Sequence, residues 1–217
     1  MVVLHYTAMT SAEAALERLS DPGPEVSAHY LIARDGRAWQ LVREADRAWH
    51  AGAGSWGGRE DVNSHSIGIE LDNDGMTPFG APLMVRLEAL LPGILARWSI
   101  PPERVIGHAD MAPGRKPDPG RRFDWLRLAR QGLAGWPMAS AGDEGASAPE
   151  EPAPPEAAFR IAACRIGYPV DGPLPALLDA FRARFHQQAA GPLSPADIVL
   201  ANRIACDSGI DRNPPAA

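Results

Sequence analysis

The stretch "GHADMAPGRKPDPG" (107–120) places His108, Lys116 and Asp118 among three prolines and three glycines. Pro117 and Pro119 restrict φ on both sides of Asp118. Such stiffness makes sense if a carboxylate has to be presented at metal-bond distance. Catalytic zinc commonly takes three protein ligands from histidine and carboxylate side chains and keeps a fourth position open. The candidates here are His108, Asp118 and the distant His5 in "VVLHY" (2–6). Spacing alone leaves a second reading open, in which the histidines are hydrogen-bonded core residues and Asp118 caps a turn.

The elements that must position these groups are legible as patterns. "VVLHY" alternates and is β-branched at its start, which predicts a strand with His5 opposite Leu4 and Tyr6. "TSAE" (10–13) has capping-box spacing and opens a short helix through Leu19. "HYLIA" (29–33) and "AWQLV" (38–42), joined at Asp35-Gly36, predict a hairpin. "RAWHAGAGSWGGRED" (47–61) reads as an ordered surface loop. "SIGIEL" (66–71) is a strand that puts Ile67, Ile69 and Leu71 on one face, and Ser66, Gly68 and Glu70 on the other. Residues 82–98 carry apolar side chains at helical spacing, with a kink or break expected at Pro92-Gly93. "RVIGH" (104–108) forms a strand into the opening loop, and 124–131 a closing helix. Strands separated by helices predict an α/β domain over residues 1–137, a central mixed β-sheet flanked by helices.

Residues 138–156 are rich in Ala, Pro, Gly and acids, lack any apolar period, and predict an extended linker. Beyond it, residues 157–210 predict a small three-helix domain. Its amphipathic helix is "LPALLDAFRARF" (174–185), and "SPAD" (194–197) opens another helix with a Ser cap and Pro at the first position.

Totals exclude several function classes. The net charge of −6 looks acidic, yet the linker alone holds Asp143, Glu144, Glu150, Glu151 and Glu156 with no Lys or Arg. The remainder is nearly neutral, and no basic tract suggests nucleic acid. No stretch reaches the roughly 20 apolar residues of a transmembrane helix. Cys164 and Cys206 lack a CxxC spacing; they could pair, but two buried thiols are the expected reading. No signal peptide is visible at "MVVLHYTAMT", which implies a cytoplasmic protein, or one of the periplasm or envelope if an upstream segment is missing.

"VVLHYTA", "VSAHYLIARDG", "RAWHAG", "NSHSIGIEL" and "VIGHADMAPGRKPDPG" resemble, in order and form, the zinc-dependent N-acetylmuramoyl-L-alanine amidases of the superfamily shared with peptidoglycan recognition proteins. The resemblance covers about residues 1–135. It implies zinc held by His5, His108 and Asp118, and hydrolysis of the amide joining N-acetylmuramic acid to L-alanine in peptidoglycan or muropeptides. Glu70 matches the family's acidic catalytic position and Lys116 a second catalytic position. His50 in "AWHAG" is implied as a groove-lining, substrate-binding residue, with a structural hydrogen bond as the other reading. Some relatives have a catalytic Tyr before the hairpin histidine and a Cys ligand. Here Ala28 precedes His29 and the ligand is Asp118, so the likeness is to the subset relying on the acid. Arg115 reads as solvated surface, and His29 and His65 as structural. Trp49 and Trp56 offer either faces for sugar rings or core packing. Residues 167–205 resemble, more loosely, the helical peptidoglycan-binding domain appended to such amidases, which a flexible tether would bring to the substrate; the other reading is a helical appendage that packs on the amidase domain or on a partner. A monomer is expected. The alternatives are a non-catalytic peptidoglycan-binding protein and a zinc hydrolase of a different amide.

Overall fold

The computed structural model describes residues 1–137 and 154–208. Five strands form one sheet: β1 (Val2–Tyr6), β2 (Tyr30–Ile32), β3 (Ala38–Gln40), β4 (Ile67–Leu71) and β5 (Val105–Gly107), in the order β3-β2-β4-β1-β5. β1 runs parallel to β4 and β5, β2 runs parallel to β4, and β3 pairs antiparallel with β2. The sheet is therefore mixed and flanked by helices, as the alternation of elements predicts.

Side-chain alternation divides the work of the two faces. Val2 and Leu4 of β1, with Ile67, Ile69 and Leu71 of β4, lie in a core closed by Leu83, Leu87, Leu91 and Ile94 of α2 (Ala81–Trp98). Val3 and His5 face the other way. Val3 packs with Ile106 of β5 in a second core, while His5 stands in register with Glu70 of the adjacent strand. Both lie toward the carboxyl ends of parallel strands, where open α/β sheets place their ligands.

Two local expectations change. The helix α1 (Ala12–Ser20) is capped by Ser11, whose side chain accepts from the Ala14 amide, one position later than the Thr10 spacing suggests. Pro92 does not end α2, which continues to Trp98. Proline in a helix interior costs about 3 kcal/mol. The apolar stripe buried on the sheet offsets that cost, since tertiary packing supplies most helical stability in proteins.

The polypeptide after β5 forms α3 (His108–Met111), α4 (Trp125–Ala129), α5 (Pro155–Ile166), α6 (Leu174–Phe185) and α7 (Pro195–Ser208). Residues 138–153 of the expected linker lie outside the described residues, and 154–156 open α5. The three C-terminal helices share one core with the sheet: Phe159, Ile166, Leu177 and Phe181 lie in the same cluster as Val3, Val62, Ile106 and Met111. This differs from a module free on a tether. A three-helix unit of this size has little apolar interior of its own, and the exposed half of the sheet's second face supplies the rest. Cys164 and Cys206 are exposed and not joined in a disulfide, contrary to the expectation of buried thiols.

A buried ionic clasp fixes the junction. Arg184 of α6 donates to Asp110 Oδ2 (2.9 Å) and to the Val105 carbonyl (3.0 Å), and the Tyr168 hydroxyl donates to Asp110 Oδ1 (2.6 Å). Asp110 Oδ2 also accepts from the Gly107 amide (2.8 Å), so the clasp closes at the start of α3, next to His108. Breaking a buried pair by removing one partner typically costs about 3–5 kcal/mol. Arg184→Ala should accordingly lose about 3 kcal/mol in urea denaturation. A native-like midpoint would show the clasp to be dispensable.

Candidate metal centre

β1 carries His5 on the sheet, and β5 ends at Gly107 so that His108 begins α3. The loop that follows folds back on itself: the Lys116 amide donates to the Ala112 carbonyl (3.1 Å), and the Ala109 amide donates to the Asp118 carbonyl (2.8 Å). These bonds bring Asp118 beside the two histidines. His5 Nδ1 and His108 Nδ1 are 2.9 Å apart, and each lies 3.0 Å from Asp118 Oδ2. All three side chains are buried, and among the described residues they are the group whose donor atoms could hold a metal ion.

The donor set fits a divalent cation. A tetrahedral ion with bonds of about 2.0–2.1 Å separates its donors by about 3.3 Å, so this triangle has to open by only about 0.3 Å. His108 Nε2 lies 2.7 Å from the Ala51 carbonyl, which can only accept. Its proton is therefore on Nε2, and Nδ1 offers a lone pair. Burial pulls the pKa of His5 down to about 4, keeping the ring neutral near pH 7. Burial works against ionisation of Asp118, but its contacts with His108 and His5 outweigh it and hold the carboxyl well below the ordinary range. Two neutral imidazoles and a carboxylate are the protonation states that metal binding requires.

Glu70 sits one strand over from His5. Its Oε2 is buried and has no hydrogen-bond partner among the described residues. Burial, reinforced by the charge of Asp118, raises its pKa to about 8, with Lys116 pulling the other way. An unpartnered buried carboxyl beside a metal-ligand set is a group poised to exchange a proton. Lys116 is exposed and lines a cleft of about 570 Å³ together with Ala109 and Pro117, the sequence neighbours of His108 and Asp118. Tyr6, Met76 and Arg122 line it as well, as do Ala176 and Asp179 of α6.

The remaining expectations sort by burial and partners. His50 does not offer its ring nitrogens to the groove, because both are engaged within the protein. Nδ1 lies 3.0 Å from His5 Nε2, and Nε2 lies 3.2 Å from Ser66 Oγ. Trp56 is core, packed edge-on against Tyr168, whereas Trp49 is 55% exposed with the Arg47 guanidinium over its ring. His29 is structural: it accepts from the Gly68 amide (2.9 Å) and contacts the Asp46 carbonyl (3.1 Å). Arg115 is not merely solvated surface. It donates to the carbonyls of Ala51 (2.7 Å) and Ala53, tying the metal loop to the 47–61 loop. Asp110, Arg115 and Ser66 were not marked by the sequence. Only the Asp three residues after Gly107, in an N-terminal capping position, carried a signal that could have found one of them.

The family model for N-acetylmuramoyl-L-alanine amidases, Amidase_2, matches residues 1–121, and the chain belongs to this family. Among relatives, it is 43% identical over 155 residues to the N-acetylmuramoyl-L-alanine amidase AmiD of Escherichia coli, covering 64% of this chain and 55% of that protein. It is 46% identical over 103 residues to the 1,6-anhydro-N-acetylmuramyl-L-alanine amidase AmpD of Haemophilus influenzae, covering 47% and 56%. The chain thus spans about half the length of these relatives. The structure of E. coli AmiD with the substrate anhydro-N-acetylmuramic acid-L-Ala-D-γ-Glu-L-Lys superposes with a TM-score of 0.85 at 35% identity, over 97% of this chain and 90% of that one. AmpDh3 of Pseudomonas aeruginosa gives 0.82 at 30% identity, over 94% and 90%. The superposition with both extends well beyond the family match, into the C-terminal helices.

Proposed function

We propose that this protein is a zinc-dependent N-acetylmuramoyl-L-alanine amidase that hydrolyses the amide between N-acetylmuramic acid and L-alanine in muropeptides, including anhydro-muropeptides, or in peptidoglycan. The observation that carries this reading is the convergence of His5 Nδ1, His108 Nδ1 and Asp118 Oδ2 at 2.9–3.0 Å beside the orphaned Glu70 carboxyl. AmiD and AmpDh3, whose structures hold anhydromuramic peptides, and the AmpD proteins by their name support the substrate class. One chain supplies every residue of the site, and a monomer is the working unit proposed.

Zinc, when bound by these three residues, supplies a Lewis acid that polarises an amide carbonyl and makes water nucleophilic near neutral pH. Glu70 is placed to take a proton from the attacking water and to return it to the departing amine. Its raised pKa suits the second task. With a divalent cation held beside it, the carboxyl becomes easier to ionise, which suits the first. Lys116, at the edge of the cleft, offers a fixed positive charge to the oxygen that becomes anionic in the tetrahedral intermediate. Lys116→Ala should lower kcat by about 100-fold with zinc content unchanged. Equal kcat in the variant would remove Lys116 from the mechanism.

The test of the reaction is digestion of soluble anhydro-muropeptides and of purified sacculi, with products weighed by mass spectrometry. Free stem peptides beginning at L-alanine are expected from at least one. Binding of either substrate without any such product would favour the non-catalytic reading, and cleavage of a different amide would reassign the substrate.

A further inference from the structure

His5 and His108 can ligate through Nδ1 only if their single ring protons are on Nε2, and the 47–61 loop contains what enforces this. At His108 the acceptor is the Ala51 carbonyl, 2.7 Å from Nε2 and shared with Arg115, whose guanidinium stands farther from Nε2, at 3.4 Å. At His5 the acceptor is the neighbouring residue's ring, and the direction of that bond is set by a longer chain. Ser66 Oγ lies 2.5 Å from the Val62 carbonyl and must donate to it, since a carbonyl has no proton to give. Toward His50 Nε2, at 3.2 Å, the same hydroxyl is therefore the acceptor, and His50 carries its proton on Nε2. His50 Nδ1 is then bare and accepts from His5 Nε2, at 3.0 Å. His5 is left with its Nδ1 lone pair facing His108 and Asp118.

The position of His50 is built, not incidental. Its backbone amide and that of Ala51 both donate to Asn63 Oδ1 (3.0 and 2.8 Å). Its ring lies on Gly68 of β4, where an added Cβ would come within 2.3 Å of the imidazole. The Gly68 amide is in turn held by His29 Nδ1. The ring has no freedom to turn away from His5 without losing both bonds.

We propose that His50 is a positioning residue: with the Ala51 carbonyl, it keeps the proton of each histidine ligand on Nε2 and so reserves both Nδ1 atoms for the metal. This inference rests on the metal reading of the site. It reassigns the "AWHAG" stretch from gripping substrate to setting the ligands, and gives Ser66 the role of directing the chain.

Zinc affinity, measured by competition with a chromophoric chelator on the full chain, tests it through variants that separate ring volume from hydrogen bonding. His50→Phe keeps the volume and loses the acceptor, and should bind zinc about 10–100-fold more weakly. His50→Asn returns an acceptor oxygen near the Nδ1 position and should recover most of that loss. Ser66→Ala frees the His50 proton and should weaken zinc several-fold in a fold that changes little. Native affinity in His50→Phe, or an Asn variant as weak as Phe, would overturn the assignment. Should His50→Phe not fold, Ser66→Ala and the imidazole ¹⁵N spectrum of the metal-free native protein decide it. The Nε2–H tautomer of His5 should be more populated in the native protein than in Ser66→Ala, and equal populations in the two contradict the proposal. Absence of zinc binding by the native chain would refute the metal reading itself, a distinct outcome that the metal-free tautomer measurement does not depend on.

Discussion

Asp118→Ala is expected to lower zinc affinity by more than about 100-fold, because a ligand must be worth more than the outer hydrogen-bonding partners whose loss costs about 10–100-fold. Amide hydrolysis should fall to the background rate with it. The reason lies in the triangle itself. Asp118 Oδ2 is the corner common to both histidines, at 3.0 Å from each. Without it the centre has two neutral nitrogens and no compensating negative charge in a buried setting. The same substitution should not unfold the domain, since the loop remains held by backbone bonds from Ala109 and Lys116. Zinc content and circular dichroism of the variant read the two effects separately. Full zinc occupancy with native activity would remove Asp118 from the site.

Glu70→Gln is expected to retain zinc while losing about 10³–10⁴-fold in kcat, the upper range for removal of a general acid–base group. It also carries a pH signature in the metal-free protein. The folded-state pKa of Glu70 stands near 8, against 4.5 for an ordinary glutamate. Below about pH 4.5 the carboxyl is protonated in folded and unfolded chains alike and contributes nothing to pH dependence. Between that value and about 8 the unfolded chain ionises first, so the native protein loses stability as pH rises. Above about 8 the penalty is complete and constant. Glutamine cannot ionise, so metal-free Glu70→Gln should gain on the native protein across this window and then run parallel to it. Urea midpoints at pH 5, 7 and 9 measure the difference. A gap that does not widen with pH would mean that Glu70 is solvated and carries its charge freely.

Much of the site was legible because strand alternation is a hard constraint. "VVLHY" commits His5 to the face opposite Val2 and Leu4, and "SIGIEL" commits Glu70 to the face opposite Ile67 and Ile69. The sheet has only to pair β1 with β4 in register for the two to meet. The proline-framed Asp118 was visible for the same kind of reason, a local restriction on the backbone. What stayed hidden depends on long-range placement. Nothing near His50 in sequence reveals that its two ring nitrogens will be consumed by His5 of β1 and by Ser66, the residue leading into β4. Arg115 looked like surface because its partners, the Ala51 and Ala53 carbonyls, lie more than sixty positions away. The attachment of the C-terminal helices was hidden likewise. Their apolar stripes show that they need a partner, but not that the partner is the Val3 and Ile106 face of the sheet. Pro92 misled in the other direction, since a local rule was overridden by the packing of α2.

The proposed reaction requires two imidazoles and one carboxylate, far apart along the chain, to converge on one divalent ion. The measurement that tests it most directly is an anomalous-difference map at the zinc edge from crystals grown with zinc. One peak per chain bounded by His5 Nδ1, His108 Nδ1 and Asp118 Oδ2 is the predicted result. No peak among those atoms in crystals shown to contain zinc, or a peak held by other residues, would contradict it.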